Sequence, residues 1–307
     1  MSSFPRNFAF CIVFLTIVLR VQAQSLPTTN IFCFDMDKFG EQYEFKNPKF
    51  MSGFNPMGYN NQPNWVNNNE IYMSVMTPRD TFQTDIYSLS FLNNVLTRVT
   101  ATPESEYSPT LTPDRRHFSC VRVDVGRNPA QRLWIYPIDR SDAGRDLLPL
   151  HQAIGYHIWL TDKKVALFIL DGKAKNYLKI VNVDDQSSIQ LTPGIGRSFG
   201  KFPDGKLAFI QKASAQTWYI KSLDPISYSS DIVIQTLPGS EDFAILPDGT
   251  IFMGNGSKLY MYKTGDAQKE WREVMDFARY GIFSIKRLAI NRDLNRIALV
   301  TDIPRGR

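Results

Sequence analysis

The chain has 307 residues, 43% of them hydrophobic and 21% charged, a balance that excludes a disordered or fibrous chain and gives a core large enough to need no covalent staples. Its formal charge of +5 is small and no Lys/Arg cluster is interleaved with aromatic residues, which excludes nucleic acid as an expected partner. Three cysteines are too few for a disulfide scaffold.

Residues 1–23 read as a targeting segment. Arg6 gives a positive start, residues 8–19 are apolar apart from Thr16, and Val21-Gln22-Ala23 offers small or β-branched residues just before a cut ahead of Gln24. The apolar run is too short to span a bilayer. The expectation is a cleaved secretory signal, a mature chain from about Gln24 with a formal charge of +3, and a periplasmic or extracellular protein that does not span the membrane. Arg20, close to the cut, leaves an uncleaved anchor as the alternative.

Mature sequence opens with strands predicted over 30–37 and 41–45, which have no partners before them. A Gly/Asn/Pro-rich stretch, 52–69, reads as loop with at most one short strand over 64–66. A repeating order then sets in: a turn at Asn67-Asn68-Asn69 and strands over 70–76, 85–91 and 96–100; Thr112-Pro113-Asp114 and strands over 118–123, 133–138 and 146–150; Thr161-Asp162 and strands over 165–170, 178–183 and 188–192. Pro203-Asp204-Gly205 precedes strands over 207–211, 218–223 and 232–237, and Pro247-Asp248-Gly249 precedes 251–254, 259–263 and 271–275. Strands over 285–290 and 297–301 flank Arg292-Asp293.

The turn residues Asn68, Asp114, Asp162, Asp204, Asp248 and Asp293 are spaced by 46, 48, 42, 44 and 45 residues. Self-similarity at this period, with four short strands per unit and no helical periodicity, predicts an all-β fold: a six-bladed β-propeller of four-stranded antiparallel blades. The sixth unit lacks its outer two strands and the N-terminus has two to spare, so the N-terminal strands should close the ring. The domain organisation is therefore a signal peptide over 1–23 and one propeller over 24–307, expected as a monomer. Cys33 and Cys120 fall in strands of blades that are not neighbours and should be buried and unpaired. The recurring Asp or Asn is a turn former, with Pro presetting φ and Gly tolerating φ > 0. Trp134, Trp159 and Trp218 lie in strands and should pack between blades, and Asn255-Gly256-Ser257, formally a glycosylation sequon, is foremost a turn.

The blades resemble the propeller repeats of TolB and its relatives, in Ser108-Pro109-Thr110-Leu111-Thr112-Pro113-Asp114, in Leu133-Trp134 and in Leu191-Thr192. The resemblance covers about residues 28–302. The first blade departs by lacking Pro-Asp-Gly and the third by its Thr161-Asp162-Lys163-Lys164. Little room precedes the first strand for the N-terminal domain that TolB carries, so the likeness is to stand-alone secreted members. The resemblance implies a fold that serves as adaptor, peptide binder or appendage to an enzyme, and so specifies function weakly.

Gly196-Arg197-Ser198-Phe199-Gly200 matches the nucleophile-elbow pattern, but it leads into strand and turn rather than helix, and no histidine follows His157. His117, His151 and His157 have no metal-ligand spacing. A lactonase-type propeller would bring Glu, Asn and Asp to a divalent cation on the channel axis; Glu106, Asn64 and Asp242 are of the right type, although the motifs of that family are missing. Register is more informative. In a propeller each inner strand begins at one face of the channel, so residues five to eight before each turn residue should converge there: Gln62; Glu106 and Tyr107; Tyr156 and His157; Arg197 and Ser198; Glu241 and Asp242; Lys286 and Arg287. This polar, mixed-sign ring predicts a binding face for a protein, a peptide or a small polar ligand, with no catalytic residue and no cofactor beyond a conceivable channel cation. The bland reading is that these groups pair with one another around a solvated channel. A metal-dependent lactonase or hydrolase is the alternative function.

Overall fold

The computed structural model describes residues 26–79, 83–125, 130–172 and 175–303. The predicted signal segment lies outside them. In chain order the strands are β1 (Thr29–Phe39) and β2 (Gln42–Phe50); β3 (Tyr59–Asn67), β4 (Glu70–Met76), β5 (Asp85–Ser90) and β6 (Leu96–Arg98); β7 (Ser105–Leu111), β8 (His117–Val123), β9 (Gln131–Pro137) and β10 (Arg145–Asp146). Then come β11 (Ile154–Trp159), β12 (Lys164–Ile169), β13 (Tyr177–Asn182) and β14 (Ser188–Pro193); β15 (Ile195–Lys201), β16 (Leu207–Lys212), β17 (Trp218–Leu223) and β18 (Ser230–Gln235). The last are β19 (Phe243–Ile245), β20 (Thr250–Asn255), β21 (Lys258–Lys263), β22 (Arg272–Asp276), β23 (Ile285–Ile290) and β24 (Arg296–Asp302).

These form six antiparallel four-stranded sheets. Five are built from consecutive strands; the sixth runs β2-β1-β24-β23, so its outer half comes from the N-terminus. β1 pairs with β24 from Thr29↔Asp302 to Asp35↔Arg296, which removes the free edge that β24 would otherwise present. The closure expected from the sequence is therefore the one observed.

Six apolar clusters fill the six interfaces between blades. Phe34, Met36 and Phe45 of the closing blade meet Phe252 and Leu259 of the fifth, while Ile31 and Val300 meet Ile71 and Met73 of the first. The second strand of each blade is buried on both faces because a neighbouring blade packs against each, and so reads as a continuous apolar run such as Leu207-Ala208-Phe209-Ile210. Outer strands such as β14 touch water and lose the pattern. Trp159 lies in the cluster between blades two and three, Trp218 against that between four and five, and Trp134 against that between one and two. Cys33 and Cys120 are buried and unpaired.

The turns before the second strands follow the expected chemistry. Asp114 Oδ1 accepts from Arg116 N (2.9 Å), Asp204 Oδ1 from Lys206 N (3.1 Å) and Asp248 Oδ1 from Thr250 N (2.9 Å). The following residue has φ > 0 in four copies, Gly205 and Gly249 where glycine accepts it freely, Arg115 and Leu294 where it does not.

The main departure from the sequence reading is β3, nine residues long where a loop with a three-residue strand was expected. Its pairing with β4 shifts register between Asn61 and Asn64, with Gln62 at φ 54°, and this bulge with Pro63 masks the strand pattern. The Asn-rich approach is itself ordered by buried amides: Asn60 Nδ2 donates to Thr29 O and Asn55 O (both 2.8 Å), and Thr29 Oγ1 donates to Asn60 O (2.8 Å). These bonds tie the first blade to the closing strand. In the second blade the outer strand is two residues long instead of five, and Leu147 and Leu148 turn into the core.

Candidate functional site: the channel face

The inner strands β3, β7, β11, β15, β19 and β23 lie closest to the axis. Within or beside each, the residue six places before the turn residue lines one cavity of about 190 Å³: Gln62, Ser108, Tyr156, Ser198, Asp242 and Arg287. The first two are stitched together, since Gln62 Oε1 accepts from Ser74 Oγ (2.7 Å) and from Ser108 N (2.8 Å).

Blades four to six carry the charge, and blade three adds Tyr156. Arg197 grips Asp242 Oδ2 through Nη2 (2.6 Å) and Nε (3.2 Å), while Arg287 Nη1 donates to Asp242 Oδ1 (3.1 Å). Arg287 Nη2 donates to Tyr156 Oη (3.0 Å), and its guanidinium lies over that ring, 5.2 Å from the centroid. Burial by itself disfavours the Arg287 charge, but the Asp242 carboxylate, then the Tyr156 and Tyr59 hydroxyls, outweigh it and raise its pKa. The same balance of burial against Asp242 raises the pKa of Arg197. Tyr59 is pushed up by burial.

A second cavity, of about 450 Å³, shares Arg197, Asp242 and Arg287 and adds Glu241, Lys286, Asn61 and Asp302. The triad therefore stands between the two spaces. Glu241 Oε1 accepts from Arg197 N (2.6 Å) and pairs with Lys212 Nζ (3.1 Å), and Lys286 Nζ pairs with Asp302 (3.0 Å).

Of the residues expected at the channel, Gln62, Tyr156, His157, Arg197, Ser198, Asp242 and Arg287 line the smaller cavity, and Glu241 and Lys286 the larger. Glu106 and Tyr107 line neither. Glu106 is fully buried, its Oε1 accepting from Thr102 Oγ1, and desolvation lifts its pKa to about 7; Tyr107 packs against the core between blades two and three. The second blade instead contributes Ser108, Pro109 and Thr110, and the first adds Asn64. The available signal was the echo of Gln62-Pro63-Asn64 in Ser108-Pro109-Thr110, a polar-Pro-polar triplet with φ > 0 at the first residue of both copies (54° and 55°).

The remaining candidates have structural explanations. His157 Nε2 faces Ser119 Oγ (2.7 Å), which accepts from Trp159 Nε1 (2.9 Å); burial pushes the imidazole pKa down to about 3, so the ring is neutral. Ser198 lies within β15, and among the described residues it has no hydrogen-bonded base. The glycines of the elbow-like motif are there for close approach: a Cβ on Gly196 would sit 2.7 Å from Glu241 Oε1 and one on Gly200 2.8 Å from Phe243. Glu106, Asn64 and Asp242 do not assemble as cation ligands, because Glu106 is walled off and both Asp242 oxygens are engaged by guanidiniums. Among the described residues no three His, Cys, Asp or Glu gather as a metal site, and no helix is long and apolar enough to cross a membrane. Asn255 Nδ2 donates to Pro238 O (2.8 Å) and Ser240 Oγ (2.9 Å), which ties that side chain to the segment ahead of β19.

The class defined by these features is a six-bladed propeller with a polar channel, and its fold is TolB-like. No protein-family model matches the sequence, and no curated protein does. Among solved structures, one described as a TolB from Agrobacterium tumefaciens matches with a TM-score of 0.64 at 12% identity, covering 91% of this chain and 99% of that one. TolB from Acinetobacter baumannii matches with a TM-score of 0.55 at 12% identity over 89% of this chain, which spans 65% of that protein. A gluconolactonase from Xanthomonas campestris matches with a TM-score of 0.56 at 7% identity, covering 80% and 86% of the two chains. At these identities the shared property is the fold.

Proposed function

We propose that this chain is a non-enzymatic binding propeller, exported by its N-terminal signal to the periplasm or beyond, that takes a protein, peptide or small polar ligand at one face of its channel as a monomer. The observation that carries the reading is the convergence of one residue from every blade on a single polar cavity backed by the Arg197–Asp242–Arg287 triad. Tyr156 also packs against the apolar cluster between blades three and four, but Gln62, Ser108, Ser198, Asp242 and Arg287 belong to none of the six clusters, so packing does not account for them. The TolB-like fold is compatible with an adaptor role. Capture of a partner from envelope extract, lost with Arg197→Ala or Glu241→Ala and retained with an exposed control substitution, is the expected result; capture unaffected by both would overturn the reading. The fold shared with a gluconolactonase supports a second reading, a lactonase or hydrolase. Retention of a stoichiometric divalent metal together with lactone or ester turnover abolished by Asp242→Ala would replace the first reading with the second.

A further inference from the structure

The channel charges do not cancel. Lys212 is matched by Glu241 (3.1 Å) and Lys286 by Asp302 (3.0 Å), both on the side of the larger cavity or outside it. The two guanidiniums share Asp242, the only acidic side chain among the described residues lining the smaller cavity, where His157 is neutral, and Glu241, already paired with Lys212, stands 4.0 Å from Arg197 Nε. Three cations, Arg197, Arg287 and Lys212, therefore meet two carboxylates, Asp242 and Glu241, and leave one surplus positive charge, in a setting where Arg287 and Asp242 keep only 14% and 10% of their side-chain surface. A poorly solvated surplus charge is favourable only when something supplies its counter-ion.

Donor accounting points the same way. A guanidinium carries five N–H groups in a planar fork. Arg197 spends Nε and Nη2 on the same Asp242 oxygen, and Arg287 spends Nη1 and Nη2 on Asp242 and Tyr156, which leaves Nη1 of Arg197 and Nε of Arg287 without a described protein acceptor. Across the cavity, blades one and two present the neutral groups of Gln62, Asn64, Ser108 and Thr110.

We infer that the smaller cavity recognises a carboxylate, held by Arg197 and Arg287, whose attached hydroxyl or amide groups meet the polar arc of blades one and two. The inference rests on the channel-face reading above and names its ligand class. Planar, bidentate acceptors suit guanidinium best. At about 190 Å³ the space is smaller than the roughly 300–1,000 Å³ that encloses a drug-sized ligand, so it takes a small acid whole or only the terminal group of a longer chain lying in the neighbouring cavity.

The test is calorimetric titration of the full mature chain at constant ionic strength with two pairs of probes: glycerate and its amide, and the tripeptide Gly-Ser-Gly as free acid and as C-terminal amide. At least one free acid should bind about tenfold or more tightly than its amide, a difference of about 1.4 kcal/mol. The responding pair identifies the source, small acid or peptide terminus. Arg197→Gln, at a half-buried position, should weaken the acid by about tenfold, and Asp242→Asn, which releases both guanidiniums, should tighten it several-fold. An amide that binds as well as its acid and loses affinity in Arg197→Gln would overturn the carboxylate assignment while leaving channel-face binding standing. Acids bound equally by wild type and Arg197→Gln, or no binding of either acid at millimolar concentration, would overturn the inference whatever the fate of Asp242→Asn.

Discussion

Glu241 and Glu106 occupy nearly the same place in their repeats, seven and eight residues before the turn residue, and end in opposite environments. Glu241 borders a cavity, accepts from a backbone N–H and meets Lys212. Glu106 is sealed between blades one and two. There Asp85 opposes its charge, while Arg122 is engaged by Glu104 (2.6 Å) and lies over Trp134, 3.9 Å from the ring. The cause is position along the strand. As in every blade, the side chain delivered to the axis is the one six places before the turn residue, here Ser108 within the bulge of β7, and Glu106, one place further back than Glu241, turns into the blade. Similar chemistry in similar sequence positions becomes a candidate ligand contact on one side of the ring and a buried titratable group on the other.

Both environments depend on a closed ring, and the largest expected effect is its loss. A chain lacking residues 24–50 forfeits β1, β2 and their share of two interface clusters, and should show no cooperative thermal transition by calorimetry; an unchanged melting temperature would refute closure.

The buried groups should give the two pH limbs. His157 is neutral when folded and takes up a proton when unfolded between its ordinary 6.5 and about 3, so its contribution is present above 6.5 and lost as the pH falls through that window, up to roughly 5 kcal/mol. Denaturant midpoints measured against pH should fall less steeply below pH 6.5 in His157→Gln. Glu106 has the opposite sign. The folded protein retains its proton between 4.5 and about 7, so stability is full below 4.5 and declines as the pH rises through 7, by roughly 3 kcal/mol. Glu106→Gln should remove that alkaline decline and leave channel binding untouched; altered binding would mean that the two regions are not separate.

The smallest expected effect lies away from both. Gly205 has φ 85° and open space around its missing Cβ, so Gly205→Ala should cost only the backbone term, about 1–2 kcal/mol by urea titration, with ligand affinity unchanged.

The sequence by itself determined the blade count, the alternation of turn and strand, the N-terminal closure and the buried, unpaired state of Cys33 and Cys120. Each is carried by local chemistry that repeats: Asp114, Asp204 and Asp248 set turns with their own side chains, and the interval between them counts sheets. Only the tertiary structure decided which inner-strand residues reach the axis. β3 was obscured by a bulge at Gln62 and Pro63 that interrupts its pairing with β4, the Gln62 N–H going instead to Asn61 Oδ1 (2.8 Å), and Glu106 was assigned to the channel because a one-residue shift exchanges the faces of a strand without altering its composition. The sharing of Asp242 between Arg197 and Arg287 joins residues that lie 45 and 90 positions apart on three blades, a distance-dependent interaction that no repeat period encodes.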